Sequence, residues 1–240
     1  MHWTDLTKQL FGADHTVTAD AANADFLSGH ARFDGALIGV VGSTNHAPIG
    51  VAMALAQAAF ILDTMARYPE RALLLLVDTQ GQQLRRRDEL LGINRAMAHL
   101  GCVVDLARRR GHRVIGLVYD QALSGGFLAT GLMADACYAL PEAEIRVMRI
   151  PAMARVTKIS EARLTELSLA NPVFAPGVAN YVAMGGVRAL WSGDLRAGLR
   201  AALGDALHAA QTGDRRAADG GERGGRGLAA RVTQRVLEAL

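Results

Sequence analysis

Length, composition and charge limit what this chain can be. It has 240 residues, half of them hydrophobic but only 5% aromatic, which is long enough for one large α/β domain with a sizeable core. The cations are almost all arginine and the net charge is +3. No aromatic stacking ladder accompanies the arginine triplets at residues 85–87 and 108–110, so nucleic-acid binding is not expected.

Cysteine usage and hydropathy bear on the compartment. Cys102 and Cys137 have no metal-ligand spacing and suit a reducing cytoplasm. The first residues lack a basic segment followed by an apolar core, so we expect no export signal. The most apolar stretch, residues 47–62, is shorter than the roughly 20 residues that a membrane-spanning helix needs. The sequence thus predicts a cytoplasmic protein without a membrane span or a metal site.

The first predicted elements are a short helix and loop in residues 1–25, followed by two strands. The strands, residues 26–33 and 36–43, flank Asp34-Gly35, a dipeptide that favours a tight hairpin turn. Pro48 suits a first helical turn. The segment from residue 51 to residue 67 is apolar nearly all round, which predicts a buried helix.

The middle of the chain alternates between strand and helix. A continuous apolar run at residues 72–77 is typical of a parallel strand covered on both faces. An amphipathic helix follows and ends near Gly111, and then come a strand at 114–119, a helix at 125–134 and a strand at 136–140. Such repeated crossovers predict a mostly parallel sheet with helices outside it, an α/β fold.

The chain becomes mainly helical after Pro151. The predicted helices span residues 161–169, 176–184 and 195–211. Residues 213–227 are rich in Gly, Arg and Asp and are expected to be mobile, before a short helix at 229–240. We therefore divide the chain into an N-terminal segment (1–25), one main domain (26–211) and a loop with a terminal helix (212–240).

Two turns follow the carboxyl ends of predicted buried strands, where ligands of open α/β sheets usually bind. One is Asp78 to Gly81, and the other, Gln121 to Phe127, contains Gly125 and Gly126. Glycines at a helix start permit close approach, and first-turn amides have no partner within the helix. With the helix dipole, such amides can stabilise an oxyanion by about 3 to 4 kcal/mol per donor. We predict an oxyanion pocket here, although helix–strand packing also explains the glycines.

Other candidate residues form weaker patterns. Ser124 lies beside the glycines, but the chain has no Gly-x-Ser-x-Gly motif of a serine hydrolase. His46 precedes a helix and fits a capping residue, a polar contact or a general acid. Glu142 and Glu144 share one face if extended, without a partner that would complete an acid/base pair. No dinucleotide fingerprint, phosphate loop or metal-ligand cluster is present.

Three stretches, taken in order, resemble the carboxyltransferase branch of the crotonase-like superfamily: HARFDG at 30–35, DTQG at 78–81 and SGGFLA at 124–129. Within that branch the chain most resembles the gamma subunit of biotin-independent malonate decarboxylase. NHAPIG at 45–50 and ANPVFAPG at 170–177 strengthen that resemblance, which covers roughly residues 25 to 210. It implies a spiral of ββα units with a helical C-terminal region.

The resemblance also assigns site residues. It implies oxyanion amides at Gly125 and Gly126, opposite a turn that contributes Gln80 and Gly81 to catalysis. It implies that three further residues contact the substrate: Thr79, Ser124 and His46.

Partners and substrate follow from the same resemblance. It implies a heterodimer with a homologous beta subunit, which supplies a second amide pocket and much of the pantetheine channel. The substrate is malonyl thioester on an acyl carrier protein, whose arm is phosphoribosyl-dephospho-coenzyme A, or a coenzyme A thioester. An alpha subunit exchanges acetyl for malonyl. No biotin is expected, since the chain has no Met-Lys-Met site. Neither a metal nor a covalently bound cofactor is expected, since the sequence shows no metal-ligand cluster and the reaction requires no redox step.

The function predicted is decarboxylation of malonyl thioester to acetyl thioester and CO2, together with the beta subunit. Two alternatives stay open. A self-sufficient enoyl-thioester hydratase or isomerase would need a carboxylate base such as Glu142 or Glu144 beside the pocket. A scaffold subunit without catalytic groups is favoured by the helical C-terminal region and by the lack of a clear acid or base.

Overall fold

The described residues form one eight-stranded sheet with helices around it. The computed structural model describes residues 1–170 and 177–239. Its strands are β1 (Thr18–Ala19), β2 (Phe26–Phe33), β3 (Ala36–Ser43), β4 (Leu73–Thr79), β5 (Val114–Leu123), β6 (Ala136–Ala139), β7 (Glu144–Arg146) and β8 (Ala189–Leu190). They lie in the order β1-β2-β3-β4-β5-β6-β8, and β7 pairs with the end of β5. The β1–β2 and β2–β3 pairs are antiparallel, and the other pairs are parallel.

Helices cover both faces of this sheet and form most of the C-terminal region. They are α1 (Trp3–Phe11), α2 (Val51–Arg67), α3 (Arg86–Leu90), α4 (Ile93–Arg109), α5 (Ser124–Leu128), α6 (Ile150–Thr157), α7 (Glu161–Ala170), α8 (Val178–Ala183), α9 (Leu195–Thr212), α10 (Arg216–Glu222) and α11 (Gly227–Glu238). Within the described residues, none of these helices combines the length and the apolar character needed to cross a bilayer.

The turn between β2 and β3 is the predicted hairpin. Asp34 and Gly35 have φ angles of 46° and 84°, and Phe33 pairs directly with Ala36. Two positive φ angles give the turn a twist that matches the flanking strands. The Asp34 carboxylate also accepts hydrogen bonds of 2.7 and 3.1 Å from Arg200 on α9, so the hairpin is joined to the C-terminal region.

The centre of the sheet is buried on both faces, as the apolar run predicts. Every residue of β4 is buried. Leu74 and Leu76 belong to a core cluster that α1 and α9 complete on one face. Leu73 and Leu75 belong to a second cluster, which α2 and α4 complete on the other face. The strand–helix–strand–helix–strand order predicted for the middle of the chain is confirmed.

Two predicted boundaries around the second glycine turn are wrong. Strand β5 continues to Leu123 rather than ending at Tyr119, because its last three residues pair with β7. The helix predicted for 125–134 is instead the short α5 and a separate 3₁₀ turn, Gly131–Met133. Thr130 breaks the helix: its ψ angle is −93°, and its hydroxyl donates a hydrogen bond of 2.7 Å to the carbonyl of Gly126.

The glycine-rich segment contains a helix that its composition does not predict. Helix α10 lies within it, and the buried carboxylate of Asp219 accepts hydrogen bonds from Arg188 at 3.0 Å and Arg215 at 3.3 Å. These charge pairs connect α10 to the residue that precedes β8 and to the residue before the helix itself, so part of the predicted loop is helical. The mobility of the segment stays a prediction.

The other C-terminal predictions differ from the structure by only a few residues. Helix α8 begins at Val178 rather than at residue 176, and residues 171–176 of the ANPVFAPG motif lie outside the described residues. We keep the division at residues 25 and 211 as a proposal.

Candidate active site

The two turns predicted to carry the chemistry lie against each other. We call residues 79–82 the Thr79 turn and residues 123–126 the Gly125 turn. They follow β4 and β5, which are neighbours in the sheet and pair at Thr79 and Ala122. A Cβ atom added to Gly81 would lie 3.0 Å from the Cβ of Ser124 and 3.2 Å from the carbonyl oxygen of Leu123. The turns are therefore in van der Waals contact.

The side chain of Thr79 fixes the first turn to the loop before α2. Its hydroxyl donates a hydrogen bond of 2.7 Å to the carbonyl of Ala47 and accepts one of 3.0 Å from the amide of Gly81. Gly81 has a φ angle of 106°, a conformation that favours glycine. Its carbonyl accepts a hydrogen bond of 2.8 Å from the amide of Ile49. The turn is thus fixed by one internal hydrogen bond and by two hydrogen bonds to the loop before α2.

Packing around Gly126 disfavours any larger residue. A Cβ atom at this position would lie 3.0 Å from each of three atoms: the carbonyl oxygen of Gly81, Cγ1 of Ile49 and Oγ1 of Thr79. The helix–strand packing that offered an alternative reason for the glycine pair therefore applies at this residue. It leaves the amide of Gly126 available as a donor, because that amide lies in the first turn of α5 and has no acceptor within the helix.

Gly125 presents its amide to a side chain that the sequence does not single out. Its backbone nitrogen donates a hydrogen bond of 3.1 Å to Oε1 of Gln82. A Cβ atom added to Gly125 would lie 2.9 Å from the same oxygen. The amide of Gly125 is therefore directed at a space that holds a carbonyl-type oxygen. Nothing in the spacing or composition around Gln82 predicts this contact.

Ser124 directs the entry into α5. Its φ angle is 50°, a left-handed conformation that costs a residue other than glycine about 1 kcal/mol or more. The strain lies at the junction where β5 turns into the first turn of α5. Because α5 contains five residues, individual amides rather than the dipole of a long helix would act on an anion here.

Gln80 and His46 lie at the exposed rim of the Thr79 turn. The Gln80 side chain is exposed, and its amide donates a hydrogen bond of 3.3 Å to the carbonyl of His46. The imidazole Nε2 of His46 lies 3.2 Å from a carboxylate oxygen of Asp120 and 3.6 Å from one of Asp78. The structure therefore turns this imidazole toward two carboxylates, and only its backbone contacts the Thr79 turn.

Asp78 is the buried member of that group. Burial raises the pKa of its carboxyl, and its two oxygens accept hydrogen bonds from the amides of His46 at 3.0 Å and Gln121 at 3.3 Å. One possible ligand atom from each of His46, Asp78 and Asp120 lies within 4.8 Å of the others. The backbone hydrogen bonds and the contacts of the imidazole with the two carboxylates explain this grouping without an ion. The absence of a metal site stays a prediction.

The two glutamates considered as bases differ in their surroundings. Glu142 is exposed. The carboxylate of Glu144 accepts a hydrogen bond of 3.2 Å from Gln121 and lies 2.7 Å from Nε of Arg146. Both oxygens of Glu144 therefore already have partners, which disfavours a hydratase mechanism that needs a free carboxylate at the pocket.

Comparison of the sequence with known proteins gives a consistent result. The profile of the family described as malonate decarboxylase gamma subunit, MdcE, matches residues 44–240, and so it includes the glycine-rich tail that the short motifs leave out. A curated relative is the malonyl-S-ACP:biotin-protein carboxyltransferase MADD of Malonomonas rubra. It is 33% identical over 189 residues, which are 77% of this chain and 62% of the relative. The chain thus spans less than two thirds of that relative.

Solved structures agree with the sequence comparison. The chain is similar to one in a Pseudomonas malonate decarboxylase hetero-tetramer in complex with coenzyme A, with a TM-score of 0.79, 27% identity and 98% of both chains covered. For a chain of the Pseudomonas malonate decarboxylase MdcD-MdcE hetero-dimer the TM-score is 0.76, with 26% identity and with 98% of this chain and 97% of that chain covered.

A more distant structure establishes the fold class. A transcarboxylase 12S chain matches with a TM-score of 0.68 at 22% identity, over 85% of this chain and 40% of that one, a likeness of fold alone. The predicted crotonase-like α/β fold is confirmed. Because the family profile matches 44–240, most of its length, the chain belongs to the malonate decarboxylase gamma subunit family.

Proposed function

We propose that this chain acts with a homologous beta subunit to decarboxylate malonyl thioester, giving acetyl thioester and CO2. One observation carries the proposal: the Thr79 and Gly125 turns are in contact, and the amide of Gly125 already donates a hydrogen bond to a carbonyl-type oxygen. A donor placed in this way suits the thioester oxygen. Family membership supplies the class of substrate.

The chemistry follows from where charge develops. Breaking the bond to the carboxylate releases CO2 and leaves the electron pair as an enolate, whose oxygen becomes an oxyanion. A proton then bonds to the α-carbon and gives the acetyl group. An amide directed at the oxyanion stabilises it more than the neutral carbonyl, and one such donor is worth about 3 kcal/mol in other enzymes.

The residues have distinct roles in this proposal. The amides of Gly125 and Gly126 donate to the oxygen, while Gln80 and Gly81 form the opposite side of the pocket. Thr79 and Ser124 line it and hold the two turns in place. The role that we propose for His46 is limited to positioning, because its imidazole is directed at carboxylates and its carbonyl holds the amide of Gln80.

The partners in this proposal follow the family and its relatives. One relative is a malonyl-S-ACP:biotin-protein carboxyltransferase. The similar solved structures are a malonate decarboxylase hetero-dimer and a hetero-tetramer in complex with coenzyme A. We propose a beta subunit that completes the active site, an acyl carrier protein with a phosphoribosyl-dephospho-coenzyme A arm and an acyl-transferase alpha subunit, all in the cytoplasm. We propose that the reaction uses neither a metal nor biotin, because backbone amides stabilise the enolate and the carboxyl group leaves as CO2 rather than passing to a carrier.

The test is co-expression of the chain with its beta subunit and measurement of CO2 release from malonyl thioester. The complex is expected to be active and the lone chain nearly inactive. Gly125→Val keeps the backbone amide but places a side chain where the acceptor oxygen lies, since a Cβ atom there would be 2.9 Å from Oε1 of Gln82. We expect kcat to fall by about 100-fold, as when an oxyanion loses contact with one donor. Gly101→Ala is the control, since a Cβ atom there would contact only Cγ of Met133, at 3.9 Å. An unchanged rate in Gly125→Val would contradict the assignment.

A scaffold subunit without catalytic groups is the second candidate. It is favoured by one observation, that close packing around Gly126 explains the glycine without a catalytic role. In that case Gly125→Val and Gly126→Ala would weaken assembly with the beta subunit and leave turnover per assembled complex unchanged. Sedimentation of each complex, measured beside its rate, separates the two functions.

A further inference from the structure

The backbone of Gln82 is held firmly on both sides. It forms a bridge with Ile49, and the amide of Gln83 donates a hydrogen bond of 2.9 Å to the carbonyl of Ile49. The part of Gln82 that can move is therefore its side chain. Rotation of that side chain would not require the Thr79 turn to change.

The side chain of Gln82 is anchored by a single hydrogen bond. Its oxygen accepts from the amide of Gly125, and its carboxamide nitrogen has no hydrogen-bond partner among the described residues. It is also partly exposed. The net free energy of a single hydrogen bond is small, because another acceptor can replace the carboxamide oxygen at the Gly125 amide.

The oxygen of Gln82 is chemically like the oxygen of a thioester. Both are carbonyl oxygens that accept from an N–H group, and Oε1 accepts from the Gly125 amide at 3.1 Å. Two oxygens cannot accept the same hydrogen at full strength. A thioester oxygen that enters the pocket must therefore displace the side chain of Gln82.

We propose that Gln82 is an internal competitor that determines the affinity for thioester: its carboxamide oxygen holds the Gly125 amide in the free protein, and the substrate oxygen replaces it. This inference rests on the proposed function. Since the side chain is displaced in both the bound ground state and the transition state, it weakens both equally. Gln82 therefore raises KM and leaves kcat nearly unaffected.

Three variants of the complex with the beta subunit test the inference. Gln82→Ala removes the competitor, and KM for malonyl thioester is expected to fall about 2- to 10-fold, the worth of one net hydrogen bond. Gln82→Glu places a carboxylate on the amide, a stronger acceptor, and KM is expected to rise. Gln83→Ala is the matched control, because that side chain lies beside the guanidinium of Arg85 and not at Gly125.

Repulsion between the new carboxylate and the malonyl carboxylate could also raise KM in Gln82→Glu. Calorimetric measurement of acetyl coenzyme A binding excludes this explanation. This ligand has the thioester oxygen but no carboxylate, so charge repulsion at the malonyl end does not contribute. The dissociation constant is expected to increase in the order Gln82→Ala, wild type, Gln82→Glu. Hydrogen exchange of the segment 123–128 in the free protein is expected to be faster in Gln82→Ala, since the Gly125 amide loses its acceptor.

The outcomes separate this inference from the proposed function. A wild-type complex that releases no CO2 contradicts the proposed function, whatever the effect of Gln82. An active complex in which Gln82→Ala raises KM, or lowers kcat by 10-fold or more, overturns the competitor role and makes Gln82 a substrate contact. A loss of affinity in both Gln82→Ala and Gln82→Glu would also overturn it, because a structural role predicts the same direction for both.

Discussion

The hydroxyl of Thr79 donates a hydrogen bond of 2.7 Å to the carbonyl of Ala47, which lies 32 residues earlier in the chain. Both residues are buried. In Thr79→Val the carbonyl loses its donor inside the protein, and we expect the free energy of unfolding to fall by about 1–3 kcal/mol. Thr79→Ser keeps the hydroxyl and should cost less than about 1 kcal/mol. Urea unfolding of both variants measures this, and equal losses would show that the methyl group matters more than the hydrogen bond.

Two buried glycines should respond in opposite ways to alanine. At Gly126 the new Cβ atom would be 3.0 Å from the carbonyl oxygen of Gly81, which is backbone and cannot move aside. Gly126→Ala is expected to lower the free energy of unfolding by about 1–3 kcal/mol. Gly101 lies within α4, where alanine fits, and Gly101→Ala is expected to raise it by about 0.5–1 kcal/mol. Thermal unfolding of the two variants side by side would reveal a change in the same direction if this account were wrong.

Two aspartates should give the stability opposite dependences on pH. Burial raises the pKa of Asp78, so the native state binds its proton more tightly than the unfolded state does. The contribution of Asp78 to the free energy of unfolding therefore decreases as pH rises above about 4. The hydrogen bond from Arg200 lowers the pKa of Asp34, so its stabilisation is present above about pH 4 and is lost as pH falls through the lowered value.

The matching variants make that difference measurable. Relative to wild type, Asp78→Asn should gain stability as pH rises above about 4, whereas below about pH 4 Asp34→Asn should lose stability as pH rises. Denaturant unfolding at a series of pH values provides both curves. Parallel curves for wild type and Asp78→Asn would show that its raised pKa has no part in the pH dependence.

The two cysteines should differ in reactivity. Cys102 is exposed, while Cys137 is buried, and burial raises the pKa of the Cys137 thiol to about 12. Because the thiolate is the reactive form, iodoacetamide at pH 8 should label Cys102 alone in the native protein and both residues in denaturant. Peptide mapping identifies the labelled residue, with Cys102→Ser as the control that should stay unlabelled until it unfolds.

Much of the fold was predictable because its signals are local. The Asp34-Gly35 turn requires two positive φ angles, and these residues tolerate them. The apolar run of β4 fits burial on both faces. The end of β5 was not predictable in this way, since Asp120 and Gln121 look like turn residues. Their partners, which include His46 for Asp120 and both Asp78 and Glu144 for Gln121, come from other parts of the chain.

The candidate site was predictable only in part for the same reason. Glycine pairs at a strand end indicate a place where backbone can approach closely, and the two turns do meet. Gln82 is an ordinary polar residue in the sequence, and its importance depends on reaching Gly125, 43 residues later. The helix within the glycine-rich tail likewise depends on Arg188 and Asp219, which pair across 31 residues.

The cluster shared by α1 and α9 has a consequence for how the chain folds during synthesis. Leu195 and Leu199 fill the same cluster as Leu6 and Leu10, so this face of the sheet stays partly uncovered until the C-terminal region leaves the ribosome. The β2–β3 hairpin and the layer of α2 and α4 have partners closer in sequence, and local contacts form first. Helices α2 and α4 can therefore dock on a nascent sheet whose opposite face is not yet covered by α9.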